Sequence, residues 1–157
     1  MTGPHATPRR RLAAVASLLA VPWTALLIDY SGVTVVNGLF PLFVLDYNPT
    51  LPASVRTVPI WRFFRAGGGL PRNPELWPAS VLLYLVALVS AAAGALFDRE
   101  DARLTGGALA LAGIAGLGVA VSFTYRLRYT PVPVGSVLAC ALAWWYYAPA
   151  FRRMVER

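Results

Sequence analysis

Lysine and glutamine are absent from this chain of 157 residues, cysteine and histidine occur once each, and three long stretches hold no charge at all. Each absence narrows the chemistry. The lone Cys140 allows no internal disulfide, and within an apolar run it reads as a small packing residue. The lone His5 stands in a polar tail ahead of Arg9. A metal or haem site needs several converging His, Cys or carboxylate ligands, so no metal and no cofactor is expected. Without lysine, the net charge of +7 comes from 14 arginines set against seven acids. These arginines flank apolar runs instead of forming one stripe, which suits membrane anchoring and gives no expectation of nucleic acid as a partner. No serine–histidine or aspartyl pair lies within the apolar runs, so no catalytic residue is assigned and the chain is expected not to be an enzyme.

The uncharged stretches cover residues 76–97, 104–125 and 129–151, which makes runs of 22, 22 and 23. About 20 apolar residues suffice to cross a bilayer core. A shorter run, Leu12 to Ile28, follows Arg9, Arg10 and Arg11. That front end resembles a twin-arginine export signal, but no small-residue cleavage site follows it, and three arginines ahead of a retained first helix obey the positive-inside rule. The expectation is therefore an all-α, multi-pass membrane protein with four transmembrane helices, at about 12–28, 77–97, 105–125 and 134–151. A disordered basic tail (1–11) precedes them, a long first loop (29–76) follows the first, and a basic tail (152–157) closes the chain.

Residues 30–45 are apolar yet contain Asn37-Gly38 and Pro41, which predicts a short β-hairpin: Val33 to Val36, an Asn-Gly turn, and Leu39 to Val44 as an edge strand. As a fifth helix the segment would reach only about 24 Å. Further along the first loop, Trp61-Arg62-Phe63-Phe64-Arg65 interleaves rings and cations, which predicts a contact with lipid headgroups or a protein partner. Ala87, Ala91 and Ala95, and then Ala108, Ala112, Gly116 and Ala120, recur every four residues, the spacing that lets two helices approach closely in lipid. The short link Asp98 to Arg103 makes those two helices antiparallel neighbours, with its acids read as a solvated turn. Its Asp98, Ala102 and Arg103 resemble the opening of the CDP-alcohol phosphotransferase motif, but Arg99 replaces a glycine, and Ala112, Gly116 and Ala120 stand where that motif needs glycine and two aspartates.

With an even number of spans, eight arginines fall on one side and six on the other, so both termini are expected in the cytoplasm and the first loop outside. The segments Trp77 to Leu85, Ala102 to Gly107, Pro131 to Gly135 and Trp144-Trp145 resemble a family of short, uncharacterised haloarchaeal multi-pass membrane proteins. That resemblance implies location and topology in the cell membrane, and no activity. The expected role is that of a non-enzymatic subunit, assembly or interaction protein working through the first loop, with membrane lipids and a protein partner or second copy as its contacts. The alternative is an oligomeric channel or transporter component.

Overall fold

A computed structural model describes residues 7–30, 32–66 and 70–155. His5 and most of the expected N-terminal tail, the run Gly67 to Gly69, and residues 156–157 lie outside the described residues. Among the described residues the fold is mixed, with five helices and a five-stranded antiparallel sheet. This overturns the all-α expectation, and the four-span architecture falls with it. Among the described residues, two helices are long and apolar enough to cross a membrane, Leu76–Phe97 and Ala102–Phe123.

The first apolar run is where the helical reading fails. Helix α1 covers Pro8–Ser17 and stops, and strand β1 occupies Thr24–Tyr30. Pro22 supplies the break: it has no N–H and steers Val21 away from helical geometry. Beyond it, Thr24, Leu26 and Ile28 are buried and alternate with more open residues, the period of two expected of a strand. β1 pairs with β2 (Val33–Leu39) along its full length and with β5 (Tyr129–Val132) on its other side, so its backbone is satisfied on both edges.

The expected hairpin is present as part of this larger sheet, with its turn elsewhere. Asn37 and Gly38 lie inside β2, paired with Leu26 and Ala25. The reversals instead fall after Tyr30, where Gly32 takes φ +93°, and at Pro41-Leu42, closed by the Phe40 N–H donating to Phe43 O at 2.9 Å. Glycine tolerates that φ without strain, and proline suits a turn better than a ladder. Asn37 is held in the strand by its neighbour: its amide nitrogen donates to Asp46 Oδ1 at 2.7 Å. β3 (Phe43–Tyr47) and β4 (Val55–Pro59) extend the sheet, whose order is β4-β3-β2-β1-β5. Both edge strands carry a proline, Pro59 and Pro131. The first loop is thus mostly ordered sheet, followed by a short helix α2, Ile60–Ala66.

Helices α3 (Leu76–Phe97), α4 (Ala102–Phe123) and α5 (Val134–Val155) form the other layer, and α5 runs past the expected end at residue 151. α4 packs against both α3 and α5, while α1 lies along α3. One core fills this bundle around Val15, Tyr84, Leu109 and Tyr147. A second joins the sheet to the start of α3 and the end of α4 through Leu26, Ile28, Leu39, Val44, Trp77, Val119 and Phe123. The sheet therefore sits at one end of the bundle.

Candidate functional site

Helix α2 divides the Trp61-Arg62-Phe63-Phe64-Arg65 cluster by task. The rings of Phe63 and Phe64 lie 5.4 and 5.6 Å from Trp77, the buried indole at the start of α3. Trp61, Arg62 and Arg65 point away and are exposed. Trp61 and Arg65, four residues apart, share one helical face. The arrangement is an aromatic plug that fixes an outward basic and aromatic surface at the sheet end.

Beside it, residues 70–72 strap the last turn of α4. The Arg72 N–H donates to Ser122 O at 3.3 Å, and Arg126 Nη2 donates to Leu70 O at 2.6 Å. The Arg72 guanidinium lies 4.8 Å from the Tyr125 ring centroid and that of Arg126 5.7 Å from Tyr129. Sequence reasoning missed this pairing because its partners are 56 residues apart. Only the flanking Pro71 and Pro74, which fix the strap's backbone, hint at it.

The small-residue seam is divided between two contacts. Ala87 and Ala91 on α3 and Ala108, Ala112 and Ala120 on α4 are buried, and Ala95 is half-buried. Ser80 Oγ crosses from α3 to donate to Ala112 O at 3.0 Å, and the Ser90 and Thr105 hydroxyls lie 2.7 Å apart. Gly116 turns the other way, toward Trp23 and Ser136 of α5, where an added methyl group would collide with the Ser136 hydroxyl. Gly113 likewise faces Cys140 and Ser136. Small residues on α4 thus serve two neighbours, with Ala112 and Gly118 meeting α3 and Gly113 and Gly116 meeting α5.

The far end of the bundle corrects the reading of Asp98 to Asp101 as a wholly solvated turn. Asp98, with φ 53°, ends α3, and Asp101 caps α4 by accepting from the N–H groups of Arg103 and Leu104 at 2.9 and 3.2 Å. Glu100 is buried: its side chain is 8% exposed, it pairs with Arg11 at 3.2 Å, and it accepts from the Tyr147 hydroxyl at 2.8 Å. Gly94 makes the room, since any side chain there would strike Glu100. Arg11 therefore turns into the protein, where its Nε is buried without a partner, and does not serve as a headgroup anchor. Among the described residues, no three His, Cys, Asp or Glu side chains converge as a metal site would require.

Residues 2–157 match the model of one family, a domain of unknown function, DUF8050. The chain belongs to the DUF8050 family. The match covers almost the whole DUF8050 chain, so the sheet, the strap and the Glu100 cluster all lie within the family's domain. Its description names no haloarchaeal source and no membrane assignment. No curated protein matches the DUF8050 chain.

Proposed function

We propose that this protein resides in a membrane through the α3–α4 hairpin, with α5 packed alongside, and acts there as a non-enzymatic interaction or assembly protein through its sheet end. The observation that carries this reading is the direction in which side chains face. Outward on α3 and α4 stand large apolar groups, such as Val89, 67% exposed, and Ile114, 58% exposed. Inward stand the hydroxyls of Ser80, Tyr84, Ser90, Thr105 and Ser122, each hydrogen-bonded within the protein. An apolar exterior over a satisfied polar interior suits lipid, where an unpaired polar group is costly and water does not compete. Helices of 22 residues, about 33 Å long, also match a hydrocarbon core of about 30 Å.

In this reading the end bearing Arg9, Arg10, Arg99 and Arg103 faces the cytoplasm, and the sheet end faces the opposite side. The interaction role is favoured over a channel or transporter component because the inward hydroxyls are already paired inside one chain. Ser136 Oγ, on α5, likewise donates to Trp23 O at 3.2 Å. A water-lined path would need those groups free. The contact surface proposed is Trp61, Arg62 and Arg65, held by Phe63 and Phe64.

Two measurements on the full-length chain test this. Membranes containing it are washed with alkaline carbonate, and the protein is expected to stay in the pellet; release into the supernatant would sink membrane residence. The variant R62S/R65S is then expected to stay in the pellet while co-purifying partners or anionic-lipid association fall. Unchanged association would remove α2 as the working surface.

A further inference from the structure

We propose that Arg72 and Arg126, with Tyr125 and Leu127 beside them, bind the phosphate of an anionic phospholipid at the sheet end of the bundle; this rests on membrane residence through α3 and α4. Both cations lack an acidic partner: among the described residues, Arg11 and Glu100 form the single ion pair. Asp29, whose backbone N–H donates to Arg128 O at 3.1 Å, turns its own carboxylate to the Gly32 N–H at 3.3 Å. Neither guanidinium has a carboxylate bound to it among the described residues.

They are also held in place. Arg72 lies over Tyr125 and Arg126 over Tyr129, and the second gives one N–H to Leu70 O. A guanidinium lying on a ring leaves its in-plane donors for a phosphate, and a side chain already ordered loses less freedom on binding. The Arg72 N–H to Ser122 O bond ties Arg72 to the last turn of α4, the Arg126 N–H to Phe123 O bond ties Arg126 to it, and Arg126 Nη2 to Leu70 O joins the two segments. Phosphate oxygens fit the fork geometry of arginine, and a second arginine bonded to the same strap adds charge.

The neighbouring side chains favour a lipid over a free anion. Leu127, next to Arg126, is 92% exposed, and Tyr125 is exposed at the end of an apolar helix whose Val121 also faces outward. Water gives no reason to display leucine there. A headgroup above acyl chains does, since the phosphate meets the arginines while the leucine and the ring enter the apolar region below.

The test uses the full-length protein in neutral detergent, with native mass spectrometry of bound lipid after adding phosphatidylglycerol or phosphatidylcholine. Wild type is expected to retain phosphatidylglycerol preferentially. R72Q is expected to lose about fivefold of that preference, the effect of one arginine near an anionic surface, and R72K to retain most of it. R72Q keeps the backbone bond to Ser122, and its unfolding temperature, read alongside, is expected to match wild type. Millimolar inorganic phosphate is expected to leave the lipid bound. The site is overturned if R72Q binds phosphatidylglycerol as wild type does, if phosphatidylcholine binds equally, or if free phosphate displaces the lipid. Wild type that resists carbonate extraction yet shows no lipid preference sinks this site alone, whereas wild type released by carbonate sinks both the site and membrane residence.

Discussion

The carboxylate of Glu100 lies 3.2 Å from the guanidinium of Arg11, a residue 89 positions earlier in the chain. The Tyr147 hydroxyl donates to the other oxygen at 2.8 Å, and the Arg11 guanidinium stands 5.7 Å from the Tyr147 ring centroid. One acid thus gathers α1, the α3–α4 turn and the far part of α5 at the end of the bundle opposite the sheet. A buried pair of this kind fixes which elements meet more than it adds stability, because desolvation offsets much of its attraction.

Removing one member is a different matter. Glu100→Ala leaves the part-buried Arg11 without its counter-charge and is expected to destabilise the protein by about 2 kcal/mol. Denaturation in detergent, compared with the double variant R11M/E100M, checks this. The double variant is expected to recover most of the loss, and a single variant as stable as wild type would contradict the buried pair.

Gly116 and Gly107, nine residues apart on α4, are expected to respond oppositely to a methyl group. At Gly116 the added carbon meets Ser136 and, at 3.1 Å, the Trp23 ring, so Gly116→Ala should cost about 1–3 kcal/mol by overpacking. At Gly107 nothing lies within 4 Å, and Gly107→Ala should stabilise by up to about 1 kcal/mol through helix propensity. Thermal unfolding of both variants decides, and equal shifts would mean that the α4–α5 contact is looser than described.

Tyr84 fastens α1 to the bundle by donating to Val15 O at 2.9 Å, with its ring 5.2 Å from that of Trp23. Tyr84→Phe keeps the ring and orphans a buried carbonyl, so a loss of about 1–2 kcal/mol is expected. Hydrogen exchange should rise in residues 8–19 and stay unchanged in α4. Uniformly raised exchange across all helices would argue against a local latch.

Side-specific cysteine labelling addresses topology. With Cys140 replaced by alanine, single cysteines at Arg10 and at Thr57, both exposed, are expected to react from opposite faces of a sealed membrane. Reaction of both from the same face would refute the arrangement in which the sheet and the arginine-rich end lie on opposite sides.

The sequence carried α3, α4 and α5 plainly, to within a few residues, because uncharged runs of this length leave few alternatives. It misplaced Leu12 to Ile28, where apolar character alone does not separate a helix from a strand paired on both sides, and where Pro22 marks the boundary between them. The Asn-Gly signal at Asn37-Gly38 was overridden by long-range pairing, with Asp46 across the ladder satisfying the asparagine. At the candidate sites, the α2 cluster could be named from its composition, whereas the strap joining Arg72 and Arg126 to α4 and the burial of Glu100 could not.

What the amino-acid order determined by itself is local: helix lengths, the small residues on α3 and α4, the absence of lysine, and the placement of arginines beside apolar runs. Each follows from a property of neighbouring residues, either a period, a run or a spacing. Only the tertiary structure decided that residues 24–59 and 129–132 join in one sheet, that Gly116 faces α5 instead of α3, and that Arg11 turns inward to Glu100. Those outcomes depend on backbone hydrogen bonds and ion pairs between distant segments, whose partners exist only once the chain has closed on itself.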